Sequence, residues 1–186
     1  MKRHLLLQRR AQILFACLGL IAIAATCRHD RNDVDSYEAA PAAYAILAEK
    51  SIDLASSFNV DSWAAMLSDS VVYHFPDGDI KTCTKIVGKK ALTDWARAHI
   101  QSSGIQSMAI EDATYLPIRV SANRSGRVAG TQVIAYLSNK MVYSTGAVSV
   151  RMNMIIHFDK DKMIDAYYTY YDNMPIMDLL HVTANR

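Results

Sequence analysis

The chain has 186 residues, 51% of them hydrophobic, with 20 Lys and Arg against 18 Asp and Glu. That length suits one ordinary domain with an appendage and buries a single sizeable core. The formal charge of +2 comes from the first 26 residues, which hold Lys2, Arg3, Arg9 and Arg10 and no acid; without them 16 basic residues face 18 acidic ones, a charge of −2. No Lys/Arg cluster remains to recognise nucleic acid, so no nucleic-acid partner is expected.

In chain order, "MKRHLLLQRR" followed by the uncharged "AQILFACLGLIAIAATC" has the form of an export signal over residues 1–26. Its apolar part is about fifteen residues, shorter than the roughly 20 that span a bilayer. "IAATC" sets small residues before Cys27, as in substrates of signal peptidase II, where the cysteine is diacylated and tethers the protein to a membrane. The expected location is therefore periplasmic or outer-membrane-associated, as a lipoprotein. Cleavage after "AIA" at 22–24 by signal peptidase I would instead release a soluble secreted protein. The polar "RHDRNDVDSYE" makes residues 27–40 a solvated tether. Cys83 is then the only cysteine of the folded part, which excludes an intramolecular disulfide, and its polar surroundings, "KTCTK", give no sign of a nucleophile.

The domain is expected over 41–182, with a tail at 183–186. "PAAYAILAEKSIDLASSF" places Tyr44, Leu47, Ala48, Ser51, Leu54, Ala55 and Phe58 at helical spacing. "NVDSWAAMLSDS" predicts a short second helix capped at Asp61, and "VVYHFPDGD" a strand ending in a turn. After Gly88, "KKALTDWARAHIQSS" aligns Leu92, Trp95, Ala96 and His99 on one helical stripe. Beyond Gly104 four long segments rich in β-branched and aromatic residues read as antiparallel strands, divided by turns at "ANRSG", "SNK" and "DKDK". Helices followed by a meander mean an α+β fold.

"LSDSVVYHF", then "VGKKAL", then the closing "DKMIDAYYTYYD" and a short "NMPIMDLL" helix resemble, in order and spacing, the SnoaL-like branch of the nuclear transport factor 2-like superfamily. The resemblance covers about 140 residues and implies a cone: a strongly curved antiparallel sheet wrapped around the helices, with a pocket at the wide end and often a homodimer formed through the sheet. No cofactor is expected. By the same resemblance Asp165, Tyr167, Thr169 and Tyr171 face inward on the closing strand. On the preceding strand Val150, Met152, Met154 and Ile156 form the apolar face and Arg151, Asn153 and His157 the opposite one. On "GTQVIAY" the inward residues are taken to be Gln132 and Ile134.

Related enzymes carry acids and bases in the pocket, where burial can bring a carboxylate pKa toward the working pH. Here Thr169 stands where such an acid is expected, and threonine and glutamine supply hydrogen bonds but no general base. The primary expectation is therefore a pocket lined by Tyr73, Phe75, Trp95, Gln132, Tyr136, Met152, Tyr167 and Thr169 that binds a small, largely apolar organic molecule. The alternatives are an acid/base isomerase, cyclase or hydrolase using Asp165, His74 or His99, and a non-catalytic association module. Each candidate also has a plain structural reading: Asp165 as a solvated strand end, His74 as an outer-face residue, His99 as a satisfied core histidine and Asp172 as a cap of the last helix. No metal-ligand spacing appears.

Overall fold

In the computed structural model, residues 37–79, 81–121 and 129–184 are described; the expected signal, Cys27 and the expected tether as far as residue 36 lie outside them. Helix α1 (Ala43–Ser56) ends where Asn59 N–H reaches back to Leu54 O and Phe58 takes a left-handed backbone, φ 61°. This hydrogen-bond pattern closes helices most easily with glycine. Phe58 accepts about 1 kcal/mol of strain there and packs its ring against the second apolar cluster described below.

Helix α2 (Val60–Ala64) is capped by Asn59, whose Oδ1 accepts from Ser62 N–H at 3.2 Å. The expected cap, Asp61, instead holds Arg97 at 2.6 Å and ties α2 to the next helix. Strand β2 (Leu67–His74) takes in "LSDS", which had been assigned to the second helix. Leu67 is fully buried in the core and pairs with Ile164, and that tertiary contact overrides the short helical pattern.

Strand β3 (Lys85–Val87), too short to show a period, leads through Gly88 at φ 94° into α3 (Lys89–Ser102). Strands β4 (Ile105–Val120), β5 (Gly130–Tyr143), β6 (Gly146–Phe158) and β7 (Ile164–Tyr171) follow, then α4 (Met174–Ala184). Asp172 Oδ1 accepts from Met174 N–H at 3.0 Å and so caps α4, as expected. The "SNK" turn is not there: residues 138–140 run straight through β5, paired on both sides, and the reversal falls at Ser144–Thr145. A tight hairpin sits where Gly146 frees the backbone, not where a polar tripeptide happens to stand. Of the residues expected as a tether, Tyr37–Ala39 instead form strand β1, paired with Ile118–Val120.

The sheet order is β1-β4-β5-β6-β7-β2-β3, antiparallel except where β2 runs parallel to β7. Register shifts interrupt the β2–β7, β4–β5 and β6–β7 ladders, and such bulges bend and twist strands. The product is the curved, open, cone-like sheet of an α+β fold. Ala48, Ile52, Trp63, Leu67, Leu92, Leu137, Ile156 and Tyr167 belong to the main core, between the helices and one sheet face. Ile105, Met141, Tyr143 and Val150 form a second cluster, on which Ile176, Leu179 and Leu180 of α4 pack.

Candidate functional site

The inner faces of β6 and of β7 from Tyr167 onward are as the resemblance implied: Ile156 stands opposite Tyr167, Met154 opposite Thr169 and Met152 opposite Tyr171. On β5 the face is reversed. Val133, Ala135, Leu137, Asn139, Met141 and Tyr143 are buried at alternate positions, while Tyr136 is half exposed. Gln132 and Ile134 share the outer face with Tyr136. Both sets of alternate residues in this strand include apolar side chains, so alternation alone did not say which one the helices would cover.

Between the helices and this inner face lies a cavity of about 310 Å³. Tyr73, Phe75, Trp95, Met152 and Tyr167, all predicted, line it, as does His99. Gln132, Tyr136 and Thr169 do not. Residues the sequence reading did not assign to the pocket complete the wall: Ser51 and Trp63 on one side, Met108, Asn139, Met141 and Tyr143 on the other. Among the described residues that line it, none is Asp, Glu, Lys or Arg.

One side of the cavity is an aromatic and hydroxyl network. Tyr167 OH accepts from Trp63 Nε1 at 3.0 Å and shares a 2.5 Å hydrogen bond with Ser51 Oγ. Burial pushes the Tyr167 phenol up to about 12. Tyr73, whose ring lies 5.6 Å from that of Tyr167, is raised further, first by burial and then by its neighbour Tyr171. Phenols held this firmly protonated are hydrogen-bond donors, not bases, at neutral pH. Thr169 points to the inner side, but its Oγ1 donates to His74 O at 2.8 Å and so serves the join between β7 and β2. The ring of His99 stacks on Trp95 at 5.2 Å with 13° between planes. Burial lowers its pKa, so near pH 7 it presents a neutral imidazole to the cavity.

The other side is lined by sulfur and carbon. Tyr143 OH donates to Met141 Sδ at 3.6 Å, and Asn139 Nδ2 to Met108 Sδ at 3.8 Å.

Two catalytic candidates are displaced from the cavity. Asp165 lies at the β6–β7 register shift and pairs with His157 Nδ1, while Nε2 of that ring donates to Ala129 O at 2.9 Å. The bulge takes Asp165 out of the alternation that had placed it inward. Gly130 is required beside this pair, since at φ 124° a Cβ would stand 2.6 Å from His157 Nε2. His74 turns to the outer side, stacks on Tyr168 at 4.4 Å and lies 3.7 Å from Cys83 Sγ at a smaller cavity of about 100 Å³. Its pKa is lowered, first by burial and then by Lys85. Among the described residues no three His, Cys, Asp or Glu side chains gather as a metal ion would need.

Neither a protein-family model nor a curated protein matches the chain significantly. Solved structures do. A candidate SnoaL-like polyketide cyclase from Shewanella denitrificans superposes with a TM-score of 0.52 at 12% identity, over 76% of this chain and 99% of that one. A candidate polyketide cyclase from Xanthomonas campestris pv. campestris gives 0.55 at 15%, over 74% and 96%. An LEH-like epoxide hydrolase of M. tuberculosis gives 0.51 at 17%, over 75% and 90%. The fold is SnoaL-like, of the nuclear transport factor 2-like type. In this SnoaL-like cone the cavity wall comes from every layer: α1 and α2 bring Ser51 and Trp63, β2 brings Tyr73, α3 brings Trp95 and His99, and β4–β7 bring the methionines, Asn139 and the remaining tyrosines. Asn139 and Trp63 could have been found in the sequence only by knowing which face of β5 and of α2 is covered.

Proposed function

We propose that this chain binds a small, neutral, largely apolar organic molecule in the cone cavity. The observation that carries the reading is the wall itself: about 310 Å³ of space bounded by aromatic, methionine and aliphatic side chains with a few hydrogen-bonding groups and no formal charge. This is the composition of small-molecule sites, and it leaves a charged ligand without a counter-charge in a low-dielectric hole. Similarity in fold to candidate polyketide cyclases and to an LEH-like epoxide hydrolase supports an organic ligand. Screening the purified domain against a metabolite library by thermal shift tests the reading. Stabilisation by neutral apolar compounds is expected, and stabilisation confined to charged ones would sink it.

A second reading has one specific observation in its favour. His99 reaches the cavity as a neutral base, so an isomerase or cyclase would act through His99 rather than through Asp165 or His74. Turnover of a bound compound that falls by orders of magnitude in His99→Gln would replace binding by catalysis.

Two further expectations belong to the same proposal. Export with acylation at Cys27 is supported by the apolar run that ends in small residues there, and Cys27→Ser should move the protein out of the membrane fraction of its native host. Association through the sheet is supported by apolar side chains on its outer face, with Leu116, Tyr136 and Tyr170 all about half exposed. Sedimentation of the wild type and of Tyr170→Lys distinguishes a homodimer from a monomer.

A further inference from the structure

Most buried polar side chains facing the cavity find partners within the fold, and one atom stands out. Asn139 is 8% exposed, lies on the inner face of β5 and lines the cavity, yet its Oδ1 has no hydrogen-bond partner among the described residues. Its Nδ2 has only the thioether of Met108, at 3.8 Å. Thioether sulfur is a weak acceptor. Cross-strand pairing sets Ile110 on one side of Asn139 and Val150 on the other, and Leu137 and Met141 flank it on the same face. None of these side chains offers a donor.

A buried carboxamide oxygen left unpaired is costly in any fold, and leucine, which has the same branching, would remove that cost. A polar side chain kept at such a place serves something that arrives there. We propose that Asn139 is the specificity-determining residue of the cavity and that the ligand carries a hydrogen-bond donor, a hydroxyl or an N–H, which Asn139 Oδ1 accepts. The inference rests on the binding reading above and narrows it from any neutral apolar molecule to one with a donor at one end of an apolar body. The body lies along the methionine side, where unbranched, polarizable side chains adapt to irregular shapes.

Two naphthalenes of nearly the same shape test the assignment: 2-naphthol, with a hydroxyl, and 2-methylnaphthalene, with a methyl group in its place. Their dissociation constants are measured by quenching of Trp63 and Trp95, both in the cavity wall, for the wild type, Asn139→Leu and Asn139→Ala. The wild type should prefer the hydroxyl compound, and both variants should lose that preference by about 5- to 150-fold, the range for a buried hydrogen bond whose partner is left unsatisfied. The ligand-free Asn139→Leu protein should also melt at a higher temperature than the wild type, which a residue retained for stability would not allow. If both probes bind and the hydroxyl-to-methyl ratio is the same in all three proteins, Asn139 does not read the ligand, although the cavity still binds one. If neither probe binds the wild type, the binding reading itself fails and this inference falls with it.

Discussion

The two sides of the cavity are built on opposite terms. Around Tyr167, polar atoms pair with one another: the phenol is held by Ser51 and Trp63, and Thr169 spends its hydroxyl on the β2 backbone. Around Met141, the polar groups of Tyr143 and Asn139 meet sulfur or nothing. A satisfied buried network makes a site rigid, and an unsatisfied one marks where the protein has forgone stability. The tyrosine side is therefore the structural wall, and the methionine side is where a ligand has something to add.

The largest expected effect sharpens this contrast through packing. Trp63→Ala should lower stability by about 3–5 kcal/mol, and Met141→Ala by only about 2 kcal/mol, since neighbouring methionines relax into the space. Urea midpoints of the two variants at an unchanged m-value measure the difference, and equal losses would break the comparison. Next come the hydroxyls. Tyr167→Phe strips Ser51 and Trp63 of their partner and should cost roughly 1–3 kcal/mol, whereas Tyr143→Phe gives up a bond to sulfur and should cost well under 1 kcal/mol. Thermal melts of both proteins decide this, and a Tyr143 variant as unstable as the Tyr167 variant would contradict the assignment of the two sides.

The smallest effect is in pH. Burial holds the pKa of folded His99 below its ordinary value of 6.5, so the unfolded chain binds protons that the native state resists. Stability should be level with respect to this group above pH 6.5 and fall as the pH drops from there toward the folded pKa. His74, lowered in the same direction, adds to the slope. Denaturant midpoints measured across this window should flatten in part in His99→Gln and further when His74→Gln is added. A wild-type midpoint that does not change between pH 7 and 5 would remove the basis for a neutral, desolvated His99 at the cavity.

Much of this architecture was legible along the chain because it depends on local chemistry. The helical stripe of α3 from Leu92 to His99, the aromatic and methionine alternation of β6 and β7, and the cap at Asp172 all follow from periods and side-chain donors that operate within a few residues. Trp95 and Met152 came with those patterns, whereas the inward placing of Tyr73, Phe75 and Tyr167 came from the resemblance to SnoaL-like chains. Features that need a partner distant in sequence were less visible. Leu67–Ser70 look helical until Ile164 is placed beside them, and Asp165 alternates inward until a bulge opposite His157 removes it from the count.

The sequence by itself determined the class of fold and the kind of side chains that would meet in a cavity, because composition and period 2 are properties of each segment alone. Tertiary structure decided which face of β5 the helices cover. That choice moved Gln132 and Tyr136 to the outside and brought Asn139, with its unpaired oxygen, to the inside. A strand's alternation separates two faces without ranking them, and only the burial of one against α1, α2 and α3 breaks the tie.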